Sequence, residues 1–185
     1  MTDRPTPRIP PLGDPPEETR AILAKGLTWD GRPLNMPATL AHHPILLKRF
    51  TLFAGAFLSR SVLPDRDREL LTLRAAARFG TEYYFGHHVV MSEAVGITPV
   101  EVAATIAGDH AWSDDDRMLL DLVDQLAVST RLDDELWSQL AGRYDEAQCI
   151  EAVMLVGFYR MVAGFVNTVG VEPEPGLPGW PVTGP

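Results

Sequence analysis

The sequence predicts an all-α protein, a single-domain helical bundle with extended arms at both ends. Three observations carry that prediction. Apolar residues recur at spacings of three and four along most of the chain, helix start and stop signals bracket those stretches, and no segment alternates apolar and polar residues as a strand would. There is no internal repeat. At 185 residues, 45 % of them apolar, the chain is long enough for one domain with a substantial core.

The elements follow in order. Residues 1–16 hold six prolines, which remove hydrogen-bond donors and disfavour helix before them, so they read as an extended arm. The helical domain is then expected over 17–170, with an extended tail over 171–185. Glu17 to Lys25 reads as a short helix ending near Gly26, and Trp29-Asp30-Gly31 as a turn. Helical pieces are expected at 38–43 and 45–60, separated by Pro44, the second with Ile45, Leu46, Phe50, Phe53, Ala54 and Phe57 on one broad apolar face. A helix from Pro64-Asp65 to Phe79 precedes Gly80, which accepts positive φ without steric cost. The next runs from about Thr81 to Val95. Thr98-Pro99-Val100-Glu101 opens another with a cap, a proline at the first position and a capping glutamate. Ser113, Asp133 and the Asp145/Gln148 pair mark three further starts, the last helix ending at Gly170. Gly157 and Gly164 lie two turns apart on one face of it, where a neighbouring helix could approach.

Charge and cysteine content exclude several classes. A net charge of −9 argues against nucleic acid, which needs clustered Lys and Arg. The single cysteine, Cys149, allows no intramolecular disulfide and fits a reducing compartment. MTDRPTPRIPPLGDPPEE lacks the apolar core of a signal peptide, so a cytoplasmic location is expected. Residues 152–169 approach membrane-spanning length, but a central Arg160 costs at least ~2.5 kcal/mol on insertion scales. A buried helix, or one at a subunit interface, is therefore expected instead of a membrane segment. HExxH, CxxC, GxSxG, P-loop and GxGxxG patterns are all lacking, so no metal and no cofactor are expected.

The chemistry-bearing residues gather around Gly80. If the two helices flanking it pair antiparallel, Glu69, 11 residues before the turn, and His88, 8 after it, differ in height by roughly 4–5 Å. Glu69, Leu73 and Ala76 share one face. Thr81, Tyr84, His88, Met91 and Val95 form one stripe on the other helix. A carboxylate beside an imidazole fixes its tautomer and raises its basicity, while desolvation opposes the charge. Glu82 faces elsewhere, towards Phe85 and Val89. His87 neighbours Tyr83 and reads as a surface residue. Cys149 reads as packing, Trp112 as lining a pocket or sealing the core, and Tyr159 and Arg160 as a polar break in the last helix, where Arg160 could bind a substrate carboxylate but is expected to pair with an acidic residue.

PDRDRELLTLRAAARFGTEYYFGHHVVMSEAVGITPVEV, Trp112-Ser113 and LVGFYRMVAGFVNTVGVEPEP together resemble the carboxymuconolactone decarboxylase and alkylhydroperoxidase D-like family, from about His43-Pro44 to Val171. The resemblance implies the alkylhydroperoxidase D-like type of helical bundle, assembled as a dimer, trimer or hexamer with sites near subunit contacts. In the peroxidase branch a Glu, a CxxC pair and a His act together; Glu69 and His88 match, but Thr81 and Tyr84 occupy the cysteine positions, so no dithiol–disulfide cycle can run there. In the decarboxylase branch the matching histidine is the acid–base residue. Many Cys-less relatives have a second acidic residue where this chain has Tyr84, and a Trp where it has Phe85. The resemblance thus implies a Cys-less, cofactor-free acid–base enzyme acting on a small carboxylated or lactone substrate. His88, Glu69, Tyr84 and Glu82 would be its catalytic residues, and Thr81, Phe85, His87 and Trp112 its substrate contacts. The rival expectation is a non-catalytic small-molecule-binding or scaffold protein, and a third is a peroxidase-related activity without the dithiol.

Overall fold

The computed structural model describes residues 6–108 and 110–181. The first five residues of the expected arm and the last four of the expected tail lie outside the described residues. Among those described, nine helices and one two-stranded hairpin occur, so the protein is all-α as expected. By its internal contacts the chain forms two compact units.

One unit comprises the residues up to Arg60 together with Gly164–Gly176. It holds α1 (Glu17–Leu23), β1 (Thr28–Trp29), β2 (Arg32–Pro33), α2 (Asn35–Leu40) and α3 (Pro44–Leu58). Residues 6–16 carry no helix or strand. The expected turn at Trp29–Gly31 is the tip of a hairpin, with Asp30 and Gly31 both at positive φ. Its strands have two residues each, too short to show any alternation in sequence. Leu23, Leu40, Ala41 and Leu47 form the core, with Leu12, Ile22, Phe50 and Phe165 packed on it. No side chain of its own caps α2. The buried Glu174 does so instead, Oε1 accepting from the Asn35 N–H at 2.6 Å, a favourable place for a carboxylate at a helix N-terminus.

Two expectations for this unit are corrected. Pro44 does not separate two helices but starts α3, where its missing N–H costs nothing and the His43 ring accepts from the Leu46 N–H at 3.3 Å. The broad apolar face of α3 is only partly packed. Leu47, Phe50, Ala54 and Phe57, spaced three and four apart, turn inward, while Ile45, Leu46 and Phe53 are exposed.

The other unit comprises Ser61–Ala163 and the residues from Leu177 on. It contains α4 (Asp65–Phe79), α5 (Glu82–Ala94), α6 (Pro99–Ala107), α7 (Asp114–Val128), α8 (Asp134–Arg143) and the part of α9 (Glu146–Val169) that ends at Ala163. At its centre is α4, with Leu70, Leu71, Leu73, Ala75 and Ala76 fully buried against α5, α6 and α7. Its charged residues reach out to fasten the surrounding helices. Arg66 bonds Glu101 and Asp116, both at 2.6 Å. Arg74 forks onto both oxygens of Asp124 and also donates to the Thr105 carbonyl. Such charges are tolerable away from water only because each is paired.

The helix ends follow the sequence signals closely. Thr98 and Glu101 form the full capping box, Ser113 and Asp133 cap the next two helices, and Asp145 and Gln148 cap α9 reciprocally. Gly80 closes α4 at φ 62°, which places the Thr81 N–H on the Ala76 carbonyl.

Among the described residues no neighbour lies within 4 Å of a Cβ at Gly157 or Gly164, and Ile150, Met154 and Met161 on α9 are exposed. Two expectations for α9 and α5 need correcting. Among the described residues no carboxylate pairs with Arg160. It donates to the Leu126 carbonyl at 3.2 Å, so it satisfies the end of α7. His87 is buried, edge-on to Tyr83 at 5.3 Å. By length and composition α9 could cross a membrane, and half of its most apolar stretch is buried within the chain.

Candidate active site

Glu69 on α4 and His88 on α5 are brought together by the tight turn at Gly80. Each helix presents a three- and four-spaced row to the other, and the two polar residues sit at matching heights. Glu69 Oε2 lies 2.6 Å from His88 Nδ1. Glu69 is 1 % exposed and His88 4 %, so the pair is removed from bulk water. The other carboxylate oxygen, Oε1, accepts from Arg68 Nε and Nη2 at 3.2 and 3.1 Å, while Arg68 Nη1 holds Asp65 at 2.7 Å. Burial opposes ionisation of Glu69. The adjoining His88 and the Arg68 guanidinium outweigh it and hold the carboxyl below its ordinary value.

An ionised carboxylate can only accept, so Nδ1 carries the hydrogen, and Nε2 is an acceptor when bare and a donor when it carries a proton. The Tyr159 hydroxyl meets Nε2 at 2.8 Å, with its ring edge-on to the imidazole. Tyr159 lies on the most apolar face of α9, beside Leu155, Val156, Val162 and Ala163. Burial, with the Glu69 charge second, pushes its phenol pKa far above the usual value, so it keeps its proton at neutral pH. The result is a hydrogen-bonded line, Arg68–Glu69–His88–Tyr159, in which a proton could pass from the phenol to the ring as another reaches the phenol oxygen.

The remaining sequence candidates divide. Tyr84 packs beside this line, its ring 4.8 Å from Tyr159, but its hydroxyl points to the Tyr159 main-chain carbonyl at 3.4 Å and not to the imidazole. Burial, then Tyr159, raises its pKa strongly. Thr81 is the fully buried residue before α5. Glu82 stands away from the pair, accepting from the Trp180 N–H at 3.4 Å, and Phe85 stacks on Trp180 at 4.5 Å. Trp112, on the segment entering α7, sits edge-on to His110 at 4.6 Å; among the described residues its buried indole N–H has no hydrogen-bond partner.

Sequence reasoning noted Tyr159 only as a polar break and left Arg68 unremarked. A signal for Tyr159 was present: a phenol on the buried face of an apolar helix requires a partner for its hydroxyl. Cys149 is buried with Sγ 3.8 Å from the Leu140 and Tyr144 carbonyls, and burial pushes its thiol pKa up, which disfavours the nucleophilic thiolate. Among the described residues no group of three or more His, Cys, Asp or Glu is gathered as metal ligands would be.

Comparison with known proteins bears on the family and the fold. Residues 44–125 match the family described as the carboxymuconolactone decarboxylase family. An uncharacterized peroxidase-related protein from Silicibacter sp. TM1040 shares the fold with a TM-score of 0.80 at 17 % identity, over 95 % of this chain and 96 % of that one. A second, an uncharacterized peroxidase-related protein from Ralstonia eutropha JMP134 with an alkylhydroperoxidase AhpD core, aligns with a TM-score of 0.78 at 18 % identity, over 92 % of this chain and 94 % of that one. The debrominase Bmp8 in complex with 2,3,4-tribromopyrrole aligns with a TM-score of 0.66 at 15 % identity, over 85 % and 82 %. None of the curated proteins matches. The resemblance to this family and the alkylhydroperoxidase D-like fold, both expected from sequence, are thus shown.

Proposed function

From the premise that residues 44–125 carry the carboxymuconolactone decarboxylase pattern, we propose that the protein is a cofactor-free acid–base enzyme, a decarboxylase or related lyase or isomerase. Its substrate would be a small carboxylated or lactone compound. The observation that carries the reading is the line from Glu69 through His88 to Tyr159, with contacts of 2.6 and 2.8 Å in a site shielded from water.

In this reading His88 is the proton store and Glu69, steadied by Arg68, fixes its tautomer. Loss of CO₂ breaks a C–C bond and leaves its electron pair as a carbanion or enolate, which must then be protonated. Tyr159 gives the proton and recovers one from Nε2–H of His88 in its protonated form, which regains a proton from solvent before the next turnover. In a proton-abstracting direction the same atoms run in reverse. Tyr84, held neutral by burial, is a donor to developing negative charge. The test is a turnover screen of carboxylated lactones and aromatic acids, extended to halogenated pyrroles because of the debrominase neighbour. His88→Ala and Glu69→Gln should abolish most of any activity found; unchanged turnover in both would end the proposal.

One observation favours a second reading, a non-catalytic binding or scaffold protein. Both ring nitrogens of His88 and both carboxylate oxygens of Glu69 already have protein partners. Binding of a screened compound that survives His88→Ala and Glu69→Gln, with no turnover by the wild type, would favour that reading.

A further inference from the structure

Residues 83 to 88 of α5 are buried at every position, although α4 can cover only one side of a helix. Part of the opposite side is covered by irregular chain, Leu177-Pro178-Gly179-Trp180. The fit is close. A Cβ on Gly86 would lie 2.5 Å from the Pro178 carbonyl oxygen and 3.2 Å from the Leu177 Cβ, so only glycine admits the segment there. A Cβ on Gly179 would lie 2.8 Å from Glu82 Oε1. Trp180 stacks on Phe85 with 34° between the rings, and its N–H makes the long bond to Glu82.

Phe85 lies about 60° round the helix from His88, given ~100° per residue. It is fully buried, so it forms the wall between the segment and the imidazole row. The segment itself forms neither helix nor strand. Covers of this kind, with few backbone bonds of their own, open at low cost. With His88 sealed in the closed state, a solute can reach it only if some cover moves.

The geometry points to residues 177–181 as a strap that closes the α5 side of the site and lifts, with Phe85 released by Trp180, to admit a small molecule. Its purpose rests on the acid–base reading, but its test does not.

The test is labelling of the full-length protein with diethyl pyrocarbonate, read by peptide mass spectrometry for each of the five histidines. His88 should react far more slowly than the exposed His42 and His43. Trp180→Ala, and Gly86→Ala whose methyl displaces Pro178, should each speed His88 labelling about tenfold. They should leave His42 and His43 unchanged and raise amide exchange over residues 82–86. Trp180→Phe, which keeps the stack, should return the rate towards wild type.

Unchanged His88 labelling despite raised exchange would overturn the strap, as would exchange that does not rise. So would faster labelling of all five histidines together, because the segment would then be holding the fold instead of covering a site. Loss of turnover in His88→Ala bears on the enzyme reading alone, so the two ideas fail separately.

Discussion

Asp67 and Glu69 stand two residues apart on α4, hence on nearly opposite sides of the helix, and both are buried carboxylates. Each meets an arginine, and each is joined to a tyrosine. Asp67 Oδ2 accepts directly from Tyr144 at 2.5 Å and from Arg143 at 2.7 Å; Arg143 also pairs with Asp115 and lies over the Tyr144 ring. Between Glu69 and Tyr159 an imidazole intervenes. In the Asp67 group the arginine stays charged and the phenol, desolvated and bonded to Asp67, stays neutral. That group is a clamp tying the end of α8 to α4. Histidine is the side chain whose charge ordinarily changes near neutrality, so inserting one converts the same ingredients into a path for a proton. One group serves structure and the other can serve chemistry, and the inserted ring makes the difference.

That contrast can be broken most severely at His88. Its replacement by Ala should lower turnover roughly a thousandfold, as for a lost general acid–base group, and Tyr159→Phe should approach the same loss. Both are read as kcat on a substrate from the screen. An unaffected Tyr159→Phe would place the reacting end of the line elsewhere. Asp67→Ala should do the opposite. It leaves the Tyr144 hydroxyl without its acceptor and Arg143 with Asp115 alone, and costs about 2 kcal/mol of stability in urea unfolding, while the folded protein keeps its turnover.

The third test is pH. The folded Glu69 carboxyl lies below its ordinary value of 4.5, so its stabilisation is complete above that value and is lost as pH falls through the folded value. Glu69→Gln should therefore flatten the acid limb of stability, and Arg68→Met should move that limb to higher pH. An unaltered limb in both variants would mean that the charge on Glu69 is not stabilised as described. The smallest effect is expected at Cys149. With its thiol buried, Cys149→Ser should leave any hydroperoxide consumption unchanged and cost about 1 kcal/mol; lost consumption would revive a thiol role.

Glu69 and His88 were legible because they lie 19 residues apart across one tight turn, where helical spacing alone sets both facing and height. Tyr159 lies 71 residues beyond His88. Periodicity shows that it faces inward but not which helix it meets. The α3 face was misjudged for a related reason, since spacing names several apolar residues and only packing selects the row that turns in. The strap is harder still to read. Gly86 looks like an ordinary break in helix propensity until Pro178 is seen against it.

What the sequence by itself determined is local: an all-helical chain, nearly every helix start, the stop at Gly80, and the meeting of Glu69 with His88. Capping, positive φ and three-to-four spacing act within a few residues of one another, so they can be read without coordinates. The tertiary structure alone decided that Tyr159 completes the line, that Arg68 holds its other end, and that the C-terminal segment lies on α5. Those contacts join residues far apart in the chain, and their geometry follows from how whole helices pack.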